Sequence, residues 1–151
     1  MFIRPVDELY PVQTYFGEKN PKYEWSIDPD NGLWIPVKTD GHGDHRGIDY
    51  ACPFGTIVRA MSDGFIIRSR FEDHFNTGKG AGLYITQLVT LLGFDSWILR
   101  YSHLSASYMY PGQSIRQGQA IALSGNSGDC DSPYLHIDLM NLKGQWKDIP
   151  F

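Results

Sequence analysis

Gly55-Thr-Ile-Val-Arg-Ala-Met-Ser-Asp-Gly-Phe-Ile-Ile-Arg-Ser-Arg70 is the stretch that decides the fold. Apolar, β-prone residues lie on both sides of Ser62-Asp63-Gly64, a pattern that reads as strand, turn, strand. The same rhythm continues outward. "LYITQLVTLL" (83–92) and "SWILRYSHL" (96–104) are β-rich runs joined across Gly93-Phe94-Asp95, a compact hairpin turn. "IRQGQAIALSG" (115–125) reads as a short strand pair around Gln117-Gly118, and "YLHIDLM" (134–140) alternates as one more strand. No stretch of ten or more residues carries a 3.6-residue period, and no internal repeat is visible. Residues 18–44, rich in Asn, Asp, Pro and Gly, read as a long loop carrying Trp25 and Trp34. A loop of that length in a compact domain is uncommon and often functional. The expectation is a mostly β, antiparallel, barrel- or sandwich-like single domain over 1–151, with long loops at one end.

Composition narrows the function classes. A net charge of -4 offers no basic patch for nucleic acid or an anionic membrane. No apolar run approaches the roughly 20 residues a transmembrane helix needs. The opening "MFIRPVDELYPVQTYFG" lacks a basic region followed by an apolar one, so no signal peptide is expected. Two cysteines, Cys52 and Cys130, are too few for a disulfide framework. They read as buried free thiols, with a single bridge as the alternative.

Chemistry concentrates in "GHGDHRGIDY" (41–50). If His45 to Asp49 is extended, both side chains project from one side with only Gly47 between them. An imidazole and a carboxylate converging on open space make half of a zinc site; a charged surface loop is the competing reading. In "SPYLHIDLM", Tyr134, His136 and Asp138 share a strand face. His136 is either a ligand or a hydrogen-bonded core residue. Asp138 is either a partner of His136 or an exposed carboxylate. His103, at the end of "SWILRYSH", is a third imidazole able to point inward. Two His, one carboxylate and a water complete a tetrahedral catalytic zinc site.

Four ordered elements carry a resemblance to the lysostaphin and LytM-type zinc endopeptidases, which cut peptide bonds in bacterial cell-wall peptidoglycan. "HRGIDYACPFGTIVRAMSDGFI" resembles the first signature of that family, with its His-x-x-x-Asp, apolar-Gly-Thr and Ala-x-x-x-Gly parts. "YSHLS" is similar to its Tyr-x-His-Leu-Ser element, and "YPGQSIRQGQAIALSGNSG" to its Pro-Gly to Gly-x-x-Gly run. "PYLHIDL" occupies the place of its Pro-His-Leu-His-Phe-Glu element. The likeness runs from about Pro11 to Met140 and is strongest over 41–140.

The resemblance implies a Zn2+ held by His45, Asp49 and His136, and a catalytic His103. The family's other catalytic His falls on Tyr134, a departure that bears on mechanism and leaves the ligands intact. A tyrosine is a poor base at neutral pH and a good donor, so Tyr134 suits an oxyanion contact and His103 the proton transfer. His42 and His74 match nothing in the pattern. The 18–44, 72–82 and 124–133 loops resemble groove walls over the metal. Trp25, Trp34, Tyr108, Tyr110 and Asn126 are groove candidates, and the aromatic ones serve equally well as caps on the small core. The implied activity is cleavage of peptidoglycan peptides at the cell wall, in an extracellular, periplasmic, or phage virion- or lysis-associated setting. Two other readings stand beside it. One is a zinc-bound, inactive module that binds peptidoglycan or a protein. The other is a biotinyl/lipoyl-like carrier, disfavoured because the tip "AMSDG" has no Lys.

Overall fold

The computed structural model describes residues 1–18, 24–27, 34–37, 45–72, 80–91 and 95–151, with the backbone alone for 24–27 and 34–37. In chain order the strands are β1 (Val12–Thr14), β2 (Glu24–Ile27), β3 (Trp34–Val37), β4 (Gly47–Tyr50), β5 (Ile57–Arg59) and β6 (Gly64–Glu72). They continue with β7 (Gly82–Leu91), β8 (Asp95–Ser107), β9 (Ser114–Ile115), β10 (Ala120–Ser124), β11 (Leu135–Asn141) and β12 (Trp146–Lys147). The described residues contain no helix, hence none long and apolar enough to cross a membrane.

Ten strands form one antiparallel sheet, not closed into a barrel. Its main path is β1-β4-β11-β8-β7-β6-β9; β10 pairs with β5 and β8, and β12 with β11. Strand alternation separates its two faces. Ile48, Ile137, Tyr101 and Ile85 lie across from one another on β4, β11, β8 and β7, all at most 4% exposed, and build the core. Their chain neighbours point the other way and form a polar row: Asp49, His136 and Ser102, then Gly47, Asp138, Arg100 and Thr86. One sheet thus supplies both a core and a polar floor.

The buried phenol of Tyr101 donates to Gln87 Oε1 at 2.8 Å and accepts from the Met61 amide at 2.9 Å. Gln87 Nε2 in turn donates to the Ser62 carbonyl at 2.8 Å. The Ser62-Asp63-Gly64 turn is therefore tied into the core by a satisfied polar chain, as burial of such groups demands.

Three expectations are corrected. Residues 18–44 are not structureless, because β2 and β3 pair as a two-stranded antiparallel sheet of their own. Pro36 lies within β3, and a proline is accommodated there because each strand of a two-stranded sheet has an unpaired edge. The strands around Gln117-Gly118 do not pair with each other: β9 pairs with β6, and β10 with β5 and β8. The reason is the turn between them. Gln117 Nε2 donates to the Met1 and Met61 carbonyls, and its amide to Asp63, which directs the two strands to different partners. Finally, Cys52 is buried but Cys130 only partly so; both are free thiols. The hairpin of β7 and β8 is present, while residues 93 and 94 of its expected turn lie outside the described residues.

Candidate metal and catalytic site

The site lies on the polar face, where β4, β11 and β8 run side by side. Asp49 on β4 stands directly opposite His136 on β11. His45 precedes β4 and is fixed by its backbone: its amide donates to the Glu18 carbonyl at 2.7 Å and its carbonyl accepts from Gly17 at 2.8 Å.

Each imidazole has one nitrogen held and one turned to Asp49. His45 Nδ1 donates to the Tyr15 carbonyl at 3.2 Å, and its Nε2 lies 3.2 Å from Asp49 Oδ2. His136 Nε2 is 3.3 Å from Asp138 Oδ2, and its Nδ1 is 2.7 Å from Asp49 Oδ1. One ligand atom from each of His45, Asp49 and His136 falls within 4.8 Å of the others. Two nitrogens and a carboxylate oxygen form the donor set of a catalytic zinc site with an open fourth position. The held nitrogens match the outer-shell bonding that metal-ligating imidazoles need. The residues therefore fit a zinc ion.

Electrostatics agree, since the cluster favours positive charge. Burial alone would raise Asp49, but the hydrogen bonds from His136 and His45 outweigh it and hold the carboxyl far below its usual range. Burial alone would lower His136, yet the bonds to Asp138 and Asp49 raise it to about 9. Asp138 is 2% exposed. Burial raises it, and the Arg100 guanidinium and His136 together more than reverse that, leaving it lowered. Of the two readings of Asp138, the buried partner of His136 is the one observed.

His103 sits on β8 beside this cluster, its ring centroid 6.2 Å from that of His136. It is the one non-glycine with positive φ among the described residues, at 63°. Its amide donates to the Ala81 carbonyl at 2.8 Å and its Nδ1 to the Ser127 carbonyl at 2.8 Å. The Nδ1–H bond leaves the Nε2 lone pair free to accept. Burial, aided by the charge of His136, lowers His103 to about 4, so the ring is neutral at pH 7. The Tyr134 hydroxyl donates to that Nε2 at 3.2 Å and has the Asp129 carbonyl as a second acceptor at 3.4 Å. Burial pushes the phenol well above its ordinary value.

Other candidates distribute unevenly. Asn126 is exposed and directly precedes Ser127, the residue that holds His103. Tyr108 and Tyr110 are 51% and 71% exposed, and among the described residues no ring contact joins either to the site. His42, His74 and the side chains of Trp25 and Trp34 lie outside the described residues. Arg100, Ser127 and Trp146 were not singled out from sequence. For Arg100 a signal existed: an Arg amid the apolar run of β8 calls for a buried countercharge.

The sequence matches the model of peptidase family M23 over residues 43–148. It is 35% identical over 133 residues to the peptidoglycan DD-endopeptidase ShyA of Vibrio cholerae, covering 88% of this chain and 27% of that protein. It is 34% identical over 105 residues to the glycyl-glycine endopeptidase ALE-1 of Staphylococcus capitis, covering 70% of this chain and 26% of that protein. This chain thus spans about a quarter of the length of those relatives. Its fold is similar to that of a zinc-containing peptidase from Vibrio cholerae, at 29% identity and a TM-score of 0.67, covering 96% of this chain and 37% of that one. With the four motif elements, the family match and the shared fold in agreement, the chain belongs to peptidase family M23.

Proposed function

We propose that this chain is a zinc-dependent endopeptidase that cleaves peptide bonds in bacterial cell-wall peptidoglycan, working as one domain over 1–151. The observation that carries the reading is the convergence of His45 Nε2, the Asp49 carboxylate and His136 Nδ1 beside a neutral, oriented His103. The relatives named for peptidoglycan or glycyl-glycine cleavage supply the substrate class. His45, Asp49 and His136 hold the metal. When bound, zinc supplies Lewis-acid chemistry, polarising a carbonyl and acidifying water.

The chain's own groups do the rest. His103 Nε2 accepts a proton from the attacking water and passes it to the leaving amine, a contribution of roughly 10²–10⁴-fold. Tyr134 must first release that nitrogen. Its hydroxyl can turn to the Asp129 carbonyl, already at 3.4 Å, which exposes the lone pair. As charge develops on the substrate oxygen, the single phenolic O–H swings from Asp129 to that oxyanion and donates to it, worth roughly 10²–10³-fold. The groove is assigned to the segments bearing Trp25 on β2, Trp34 on β3, Asn126 and Tyr108. Action is at the cell wall, in an extracellular, periplasmic or phage-associated setting.

One observation favours a second reading, an inactive metal-bound module that recognises peptidoglycan or a protein: Tyr134 caps the very nitrogen that a base needs. The test is a peptidoglycan digest by zinc-loaded protein, with products identified by mass spectrometry. The enzyme reading expects cleavage by wild type, a loss of roughly 10²-fold in Tyr134→Phe, and at least as much in His103→Ala. An inert wild type alongside an active Tyr134→His establishes the second reading.

A further inference from the structure

The ligand His136 is held by a chain of contacts that leads away from the metal to β8 and β12. Asp138 lies two residues along β11 and directly opposite Arg100 on β8. Arg100 donates to Asp138 Oδ2 from Nε at 2.9 Å and from an Nη at 2.7 Å. His136 Nε2 approaches the same oxygen at 3.3 Å. The guanidinium carbon of Arg100 lies 5.3 Å from the centroid of the Trp146 ring, and that of Arg46 lies 5.9 Å from the same ring. Trp146 pairs with Met140 on β11, and Arg46 is the chain neighbour of the ligand His45. One indole thus faces two cationic groups, one from the segment of His45 and one from β8, the strand paired with β11.

The geometry has a direct consequence. A carboxylate free to rotate would let the His136 ring turn and withdraw Nδ1 from Asp49. A planar guanidinium with two donors on one oxygen removes that freedom, which a point charge does not. A guanidinium over an indole face is attracted by the ring and held in its plane.

We propose that Arg100 and Trp146 are positioning residues for the ligand His136, an inference that rests on the zinc reading above. Arg100 locks the Asp138 carboxylate that orients the imidazole, and Trp146 holds the guanidinium in place. Neither touches the metal or substrate. Their effect is on metal affinity.

The experiment measures zinc affinity by competition with a chromophoric chelator, for wild type and for Arg100→Met, Arg100→Lys and Trp146→Leu. Melting of the metal-free proteins is followed in parallel. Arg100→Met should bind zinc roughly 10–100-fold more weakly. Arg100→Lys keeps the countercharge of Asp138 and so keeps the fold if the Met variant loses it; it should fall between wild type and Met. Trp146→Leu should weaken binding roughly 2–5-fold. The His136 ring nitrogens, read by 15N NMR in the metal-free proteins, should lose their fixed environment in the same order. A purely structural role lowers the melting temperature and leaves the zinc affinity of folded protein unchanged. If wild type binds zinc and all folded variants bind it equally well, the positioning role is wrong and the zinc reading survives. If wild type binds no zinc, both fall together.

Discussion

Gly47 is the residue whose replacement tests the candidate site most directly, because its missing side chain is what lets β4 and β11 close beside Asp49 and His136. A Cβ placed on Gly47 would lie 2.8 Å from His136 Cε1 and 2.9 Å from His136 Nε2, with the Ile137 carbonyl oxygen nearer still. Comfortable carbon contacts begin near 3.4 Å, so the imidazole must retreat by roughly 0.5 Å and the β11 backbone by more. Metal geometry tolerates about 0.2 Å. The ladder between β4 and β11 is strained as well. Overpacking costs about 1–3 kcal/mol and one weakened ladder bond about 1 kcal/mol, while Ala returns about 0.4–1 kcal/mol through the unfolded chain. Gly47→Ala should therefore lose about 2–3 kcal/mol in urea denaturation, and zinc affinity should fall at least roughly 10-fold. Gly55 provides the control. Its φ is 85° and nothing lies within 4 Å of its would-be Cβ, so Gly55→Ala should cost about 1–2 kcal/mol from backbone conformation and leave zinc binding alone. A Gly47→Ala protein with wild-type stability and wild-type zinc affinity would refute the close-approach argument.

The remaining predictions address metal, strain and thiols. Removing zinc with a chelator should lower the melting temperature, and adding it back at 100 times Kd should return about 2.7 kcal/mol of stability; no response to zinc would count against the site. At position 103, where φ is 63°, Gly and Asn tolerate the left-handed backbone better than Ala. His103→Gly and His103→Asn should thus be more stable than His103→Ala by about 1 kcal/mol, with all three losing hydrolysis, and equal stabilities would mean the strain is absent. The buried Cys52 thiol is raised by burial, and burial pushes Cys130 up to about 12. Since the thiolate is the reactive form, both should react slowly with a disulfide reagent at pH 8 in native protein and fast once unfolded. Rapid native labelling of Cys130 would contradict its assigned surroundings.

The family resemblance named the candidate trio, and for Asp49 and His136 strand periodicity supports it. Asp49 and His136 are flanked by Ile48, Tyr50, Leu135 and Ile137, all buried, and such alternation announces both the strand and the opposite, polar face. Pairing was less legible. The strands β9 and β10 flank a tight turn, so local reading makes them a pair. Their actual partners are chosen by long-range packing around Tyr101, Gln87 and Met61. In 18–44, turn-prone composition hid two four-residue strands, one of which contains Pro36. Arg100 was readable as an anomaly but not as a partner, since only the β8–β11 register places it opposite Asp138.

His103 shows where sequence and fold speak to different questions. The motif located the imidazole, but not its backbone. A left-handed non-glycine costs about 1–2 kcal/mol and persists only when its surroundings over-determine it. Here they do. Ser127 Oγ donates to the Leu104 carbonyl at 2.6 Å and accepts from the Leu83 amide at 2.9 Å, fixing the loop whose carbonyl takes the His103 Nδ1 proton. Gly82 and Gly128 pack so closely against Ser127, and against Gly80 and each other, that no side chain fits at either. A histidine needed only to fill space would relax to ordinary strand geometry on β8. Held in this way, His103 presents Nε2 beside the ligand His136, with the lone pair set by the Ser127 bond and guarded by Tyr134. The strain points to an imidazole whose orientation matters more than its contribution to stability, which is what proton transfer next to a metal centre requires.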